Sequence, residues 1–368
     1  MSTTKPFTID KWSVYKAYQA VKANAGSAGV DGQSLKMFDE DLKGNLYKIW
    51  NRMSSGSYFP LPVKAVAIPK KNGGERILGV PTVADRVAQM VVKQEIEPDI
   101  EAKFLPDSYG YRPGRSALDA IGVTRERCWR FDWVLEFDIK GLFGNIDHNL
   151  LMWAIKKHVK CGWAQLYIKR WLVAPLQLGD GTLMERSQGT PQGGVISPIL
   201  ANLFLDYTFD VWMGKQFPGN PWCRYADDGL GHCRTEEQAQ AVRSALDARF
   251  KECKLEMHPD KTKIAYCKDS SRRKEHPVTE SDFLGYTFRR RLAFNSKRKS
   301  LFVNFTPAVS SKAVKAMRQR TRELNFRNRT DLSLADISKF FNPILSGWGR
   351  FRKRIAEYVK LPVLAVAA

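Results

Sequence analysis

The sequence is short of the residues that build thiolate sites and disulfide frameworks. Its six cysteines stand at 128, 161, 223, 233, 253 and 267, none in C-x-x-C spacing, and its five histidines form no ligand pattern with them. Neither a structural zinc site nor a disulfide scaffold is expected, and a reduced cytoplasm is the expected compartment. Long apolar runs are also missing. The N-terminus through Trp12 is polar, unlike the centre of a signal peptide. The run Leu361 to Ala368 is apolar for only eight residues, where a membrane-crossing helix takes about 20. No repeat and no low-complexity tract interrupts the chain. Negative charge is short of its counterpart: 38 Asp and Glu oppose 59 Lys and Arg, leaving +21 at a pI near 9.7. That excess predicts a polyanionic partner, nucleic acid ahead of an anionic membrane surface. With 43% hydrophobic and 26% charged residues over 368 positions, the chain is rich enough to fold around a packed core. Its length suggests two or three subdomains.

The charge is unevenly spread. Residues 268–368 carry 23 Lys and Arg against eight Asp and Glu, which is +15 of the total. This segment includes Arg289-Arg290-Arg291 and Lys297-Arg298-Lys299. Its clearest helix is predicted over Ser311 to Leu324, with Val314, Met317, Thr321 and Leu324 at helical spacing on one face. Lys312, Lys315, Arg318, Arg320 and Arg322 cover much of the rest, with one acid, Glu323, among them. A solvated basic face is the bland reading; phosphate contact is the functional one.

Upstream, strand and helix signals alternate, so the class is α/β or α+β. Phe59 to Gly79 reads as a hairpin, with a Val63–Ile68 strand and an Asn72-Gly73-Gly74 turn signal. Pro81 to Ile100 reads as a helix, and Trp133 to Asp138 as a buried strand. Asp147 is placed to cap a helix carrying Leu150, Leu151, Ala154, Ile155 and Val159.

The sharpest local feature is Arg224-Tyr225-Ala226-Asp227-Asp228-Gly229-Leu230, which reads as two strands joined by a tight Asp-Asp-Gly turn. Adjacent carboxylates repel, so such a turn needs solvent or a cation. Asp138 ends an otherwise largely apolar strand, where a carboxylate projects into a cleft or caps a turn. Should the two strands pair, Asp138, Asp227 and Asp228 make a three-carboxylate cluster. Such a cluster suits two Mg²⁺ ions, which prefer oxygen ligands and substrate phosphates.

Eight further blocks, in order with the Tyr225-Ala226-Asp227-Asp228 box, then carry a family resemblance. They are Ala28 to Gly32 (AGVDG), Leu61 to Pro81 (LPVKAVAIPKKNGGERILGVP), Ser108 to Ala117 (SYGYRPGRSA) and Phe137 to Leu150 (FDIKGLFGNIDHNL). Gly189 to Leu203 (GTPQGGVISPILANL), His258 to Lys263 (HPDKTK), Phe283 to Phe288 (FLGYTF) and Phe341 to Trp348 (FNPILSGW) complete the set. From about residue 24 to about 350 the chain resembles a reverse transcriptase of the group II intron type.

The resemblance implies a right-hand polymerase fold, with fingers and palm around an antiparallel palm sheet and a short helical thumb. It divides the chain into an N-terminal extension contacting template (1–50), fingers (51–125), palm with finger insertions (126–290) and a basic thumb (291–368). It implies an RNA-directed DNA polymerase that uses Mg²⁺, with Mn²⁺ as a substitute. Its expected partners are an RNA template, the RNA–DNA duplex, deoxynucleoside triphosphates and intron or other structured RNA; no membrane is expected. Asp138, Asp227 and Asp228 become metal ligands, helped by the carbonyl of Ile139. Lys261 becomes a general acid for pyrophosphate, or else is a surface lysine. Lys70 or Lys71 and Arg76 become a triphosphate clamp, Arg115 a template or nucleotide contact, and Gln192 a neighbour of the incoming sugar. Phe143 becomes a steric gate against ribonucleotides; ordinary core is its alternative. Lys312, Lys315, Arg318 and Arg322 become duplex contacts. Two departures from the family stand out: Gly144 replaces a common acid, and only 20 residues follow Trp348, which predicts an abbreviated thumb without a nuclease. A domesticated defence or CRISPR-linked role, and a non-catalytic maturase, are the rivals.

Overall fold

The alternating signals are realised in order. The computed structural model describes residues 5–69, 73–295, 299–325, 331–333, 335–344 and 346. Helices α1 (Lys11–Ala23), α2 (Leu35–Glu40) and α3 (Leu42–Ser54) precede strands β1 (Val63–Pro69) and β2 (Glu75–Val80) and the long α4 (Val83–Glu101). Next come α5 (Ala117–Cys128), β3 (Trp133–Asp138), the single turn α6 (Leu142–Asn145), α7 (His148–His158) and α8 (Gly162–Val173). Short strands β4 (Leu176–Gln177) and β5 (Leu183–Met184) lead to α9 (Ser197–Leu205), a π-helical turn and α10 (Val211–Gln216). The remainder is β6 (Trp222–Tyr225), β7 (Asp228–Cys233), α11 (Glu236–Glu252), β8 (Lys263–Tyr266), β9 (Glu280–Phe283), β10 (Tyr286–Asn295), β11 (Ser300–Val309) and α12 (Ser311–Glu323).

The chain divides into two compact units. The first draws on Met1–Pro106, Ile139–Met213 and Ala248–Glu256. Its sheet has the order β2-β1-β4-β5. The expected hairpin is there: β1 and β2 pair antiparallel from Lys64↔Val80 to Pro69↔Glu75. Gly73 and Gly74 both adopt positive φ (84° and 77°), the conformation glycine takes without steric cost. Helix α4 starts where Thr82 caps the Asp85 N–H and buries Val83, Val87, Val91, Val92, Ile96 and Ile100. The Asp147 cap of α7 forms as expected, accepting from the N–H groups of Asn149 and Leu150 at 2.9 Å each. Helix α9 starts at Ser197 with Ile196 at the cap position, although the Ile196 side chain can cap nothing. The reason is tertiary. Gln89 of α4 accepts from the Val195 and Ile196 N–H groups at 2.9 and 3.4 Å, so the helix start is capped from outside its own sequence.

The second unit draws on Asp107–Asp138, Gly214–Asp247 and Met257–Ala368. Its main sheet has the order β6-β7-β3-β8, and all three pairings are antiparallel. One face packs Val134, Leu230 and Ala265 into a core with Ile121 of α5 and Phe283, Phe288 and Phe305 of the β11-β10-β9 sheet. Period-two alternation along β3 places Glu136 and Asp138 on the face of Val134. The apolar face of this sheet therefore carries two acids toward the end of β3. Helix α12 runs over almost the expected range. Val314, Met317, Thr321 and Leu324 are half-buried, while Lys312, Lys315, Arg318 and Arg322 are exposed. No described helix is long and apolar enough to cross a membrane.

Candidate active site

The acids are brought together by strand register. Asp138 stands directly opposite Asp228 in the β3–β7 pair, and Asp228 stands directly opposite Tyr225 in the β6–β7 pair. Directly opposed residues point to the same face. The connection between β6 and β7 is the two-residue turn Ala226-Asp227, so the expected Asp-Asp-Gly turn lies one step earlier. Asp228 and Gly229 belong to β7, because Asp228 pairs with Asp138 on one side and Tyr225 on the other. That pairing outweighs the turn preference of the Asp-Gly dipeptide. Gly229 serves a packing need instead: a Cβ there would lie 2.1 Å from the Phe137 ring.

The electrostatics follow from this crowding. Burial, reinforced by the charges of Asp227 and Asp138, pushes the Asp228 carboxyl up to about 7. Asp138 is 5% exposed and forms a short ion pair with the Lys261 ammonium. Lys261 follows Pro259 and Asp260 in a single 3-10 turn. Partial burial works against its charge, but the Asp138 carboxylate and the charges of Asp228 and Asp227 raise the ammonium above its ordinary value. Two residues back along β3, Glu136 pairs with Lys263 at 3.3 Å. Glu136 also accepts from the Ser281 hydroxyl and the Asp282 N–H, both at 2.9 Å. Burial raises its carboxyl, and Lys263 opposes that shift. The result is two acid–lysine pairs along β3, one to the turn before β8 and one to the first residue of β8.

These residues suit a hard cation. The donors are carboxylate oxygens, and the Asp228 carboxyl is raised first by burial and then by the charges of Asp227 and Asp138, both of which a bound cation offsets. Lys261 already supplies positive charge at Asp138. Among the described residues, no three acid, imidazole or thiol groups close on one point. The set is an opposed pair, Asp138 and Asp228, with Asp227 in the adjoining turn.

The turn has its own scaffold. Ala226 adopts φ 57°, a left-handed conformation that costs a non-glycine residue roughly 1–3 kcal/mol. The Arg224 side chain is fully buried and donates to the Ala226 carbonyl at 3.1 Å and to the Ser108 hydroxyl at 2.8 Å. The Arg224 backbone is bracketed too: its N–H donates to Asp107 O at 3.0 Å, and its carbonyl accepts from Tyr109 N–H at 2.9 Å. Gly110 packs so closely that a Cβ would lie 2.4 Å from the Ala226 nitrogen. Arg224 and Ser108 stand in the motifs of the sequence but carry no expected role there. The available signal was a charged residue inside a strand that is otherwise Trp222, Cys223 and Tyr225.

The other expected site residues fall as follows. Arg115 is exposed in the second unit, its guanidinium 5.7 Å from the Tyr109 ring centre. Ile139, Arg76, Phe143 and Gln192 belong to the first unit. There the exposed Arg76 donates to the Gln192 side-chain oxygen at 2.5 Å, and the Gly79 N–H donates to the Gln192 carbonyl at 2.8 Å. A Cβ on Gly193 would lie 2.6 Å from the Gly79 carbonyl. These glycines thus let the Pro191–Gly194 loop lie against β2. Phe143 and Ile139 are buried, at 7% and 1% exposure. The Phe143 carbonyl accepts from Thr190 N–H at 2.6 Å. Gly144 has open space where a Cβ would project, so its missing side chain leaves no packing defect. Lys70 and Lys71 lie outside the described residues, as does part of the Phe341–Trp348 block.

The chain is similar to several known proteins. The family profile described as "Reverse transcriptase (RNA-dependent DNA polymerase)" matches residues 68–288. Protein YkfC of Escherichia coli (strain K12) is 31% identical over 288 residues, covering 67% of this chain and 74% of that protein. The group II intron-encoded protein LtrA of Lactococcus lactis subsp. cremoris is 35% identical over 194 residues, 52% of this chain. The chain spans about a third (32%) of LtrA's length. Nuclear intron maturase 1, mitochondrial, of Arabidopsis thaliana is 31% identical over 80 residues, covering 22% of this chain and 11% of that one.

Proposed function

The chain belongs to the reverse transcriptase family, and we propose that it is an RNA-directed DNA polymerase of right-hand fold in which the β6-β7-β3-β8 sheet serves as the palm. It extends a primer 3′ end on an RNA template with deoxynucleotides. The observation that supports this most is the direct opposition of Asp138 and Asp228 beside the Asp227 turn, with Lys261 on Asp138.

In this reading Asp138, Asp227 and Asp228 hold divalent magnesium, with the Ile139 carbonyl assisting. Bound magnesium supplies activation of the primer hydroxyl and charge stabilisation at the leaving pyrophosphate. Lys261 stays protonated because its neighbours are carboxylates, so in this reading it serves as an acid and not a base, although the same carboxylates oppose release of the proton. Arg76 and Gln192, already hydrogen-bonded to each other, orient the triphosphate and sugar of the incoming nucleotide. Phe143 selects the deoxy sugar. Exposed Lys312, Lys315, Arg318 and Arg322 take up duplex phosphates.

A second reading has its own support. The relatives named as intron maturases fit a chain that binds structured RNA and assists splicing, using its basic surface without needing the aspartates. Template-dependent extension by the wild type, lost in Asp227→Ala, separates the two.

A further inference from the structure

We infer that Arg224 is a positioning residue for the Asp227–Asp228 turn, acting from beneath it through the Ala226 carbonyl. The inference rests on the reading of Asp227 and Asp228 as cation ligands.

A fully buried guanidinium is an expensive group to place in a sheet, because its charge loses water and its donors must all be matched. An apolar side chain at this strand position fills the same space without that cost. Arg224 is kept in place by an unusual density of bonds. Its main-chain N–H and carbonyl both bond the Asp107–Tyr109 segment, forming the short parallel bridge Ser108↔Arg224. Two donors of its head group reach neutral oxygens, one in that segment and one in the turn. It therefore ties the turn to a second stretch of chain.

The atom it holds matters. Ala226 is the first of two turn residues and sits at φ 57°, where glycine is the favoured residue. A strained residue persists only where its surroundings over-determine it. Here the restraints are the Arg224 bond to the carbonyl side and the close approach of Gly110 to the nitrogen side. The peptide bond is planar, so fixing the Ala226 carbonyl fixes the plane from which the Asp227 backbone departs. The direction of the Asp227 carboxylate, and the point at which β7 begins with Asp228, follow from it. A core arginine with a merely structural role makes no such demand on ion binding.

The test uses the full chain and reads Mn²⁺ affinity from the free-ion electron paramagnetic resonance signal, beside kcat and the KM for dTTP. Arg224→Gln is expected to weaken Mn²⁺ binding about tenfold, the lower range for loss of an outer-shell partner. It should lower kcat by a similar factor and leave the KM for dTTP within about twofold. Adding Ala226→Gly should restore part of the lost affinity, because glycine adopts the turn conformation without restraint. Should Arg224→Gln fail to fold, Ser108→Ala removes one acceptor only, and is expected to weaken Mn²⁺ binding about threefold, a fraction of the whole-side-chain effect. Wild-type Mn²⁺ affinity in folded Arg224→Gln overturns the inference, as does unchanged affinity in Ser108→Ala when Arg224→Gln is unfolded. So does a wild type that binds no Mn²⁺. If the wild type binds Mn²⁺ without extending primers, and Arg224→Gln binds it more weakly, the polymerase reading fails while the positioning role stands.

Discussion

Asp138 and Asp228 face each other as directly opposed residues at the end of the β3–β7 pair. Like charges in that relationship destabilise a sheet, and this pair stands beside a third carboxylate. The fold tolerates the arrangement by holding Asp228 protonated up to about pH 7 and by setting the Lys261 ammonium on Asp138.

This gives a pH dependence with a definite sign. The Asp228 carboxyl is raised from 3.8 to about 7 on folding, so between those values the folded chain keeps a proton that the unfolded chain releases. Its contribution to stability is full below the lower value and is lost as pH rises through the upper one, by at most about 4 kcal/mol. Asp228→Asn should therefore melt higher than the wild type at about pH 8 in the absence of metal, while losing polymerase activity. Added Mg²⁺ should stabilise the wild type more at about pH 8 than at about pH 5.5, because binding displaces that proton. Thermal unfolding with and without Mg²⁺ measures both. A Mg²⁺ effect independent of pH counts against Asp228 as a ligand.

Lys261→Ala should lower the single-turnover incorporation rate by about a hundredfold, the usual lower bound for a general acid, with Lys261→Arg retaining charge but not proton transfer. Should both variants incorporate at the wild-type rate, Lys261 is only a counter-ion for Asp138.

Phe143→Val should admit ribonucleotides more readily. The side chain is buried, so the smaller residue should also cost stability, on the order of 1–3 kcal/mol for a partial truncation. Competition between dTTP and UTP reads the first effect and urea unfolding the second. Lost stability with unchanged sugar selectivity assigns Phe143 to the core alone.

Helix α12 has no buried residue, so replacing Lys312, Lys315, Arg318 and Arg322 with Gln should leave the fold intact. The slope of log affinity against log salt for an RNA–DNA duplex should shrink by roughly 0.7–0.9 per lost phosphate contact. An unchanged slope means that this face meets solvent.

Much of the site was legible where chemistry is written into local pattern. Strand β3 runs from Trp133 to Asp138 as read, because an apolar run closed by an acid has few other uses. The same holds for the Gly73-Gly74 turn and for the half-buried stripe of α12. What escaped depends on distant partners. Asp228-Gly229 carries a turn signature, yet pairing with Asp138 and Tyr225 draws Asp228 into β7 and moves the turn to Ala226-Asp227. The start of α9 is set by Gln89, more than a hundred residues earlier. Arg224 reads as a stray charge until Ser108 and Ala226 are found around it. Glu136 reads as an interruption of an apolar strand until Lys263, Ser281 and Asp282 meet it.

The most direct measurement is primer extension on poly(rA)/oligo(dT) with Mg²⁺, comparing the wild type with Asp227→Ala. The expected result is dTTP incorporation by the wild type and a fall of at least about a thousandfold in the variant, as when a group essential to the chemistry is removed. Equal incorporation by the two proteins, or none by the wild type with either Mg²⁺ or Mn²⁺, contradicts the account.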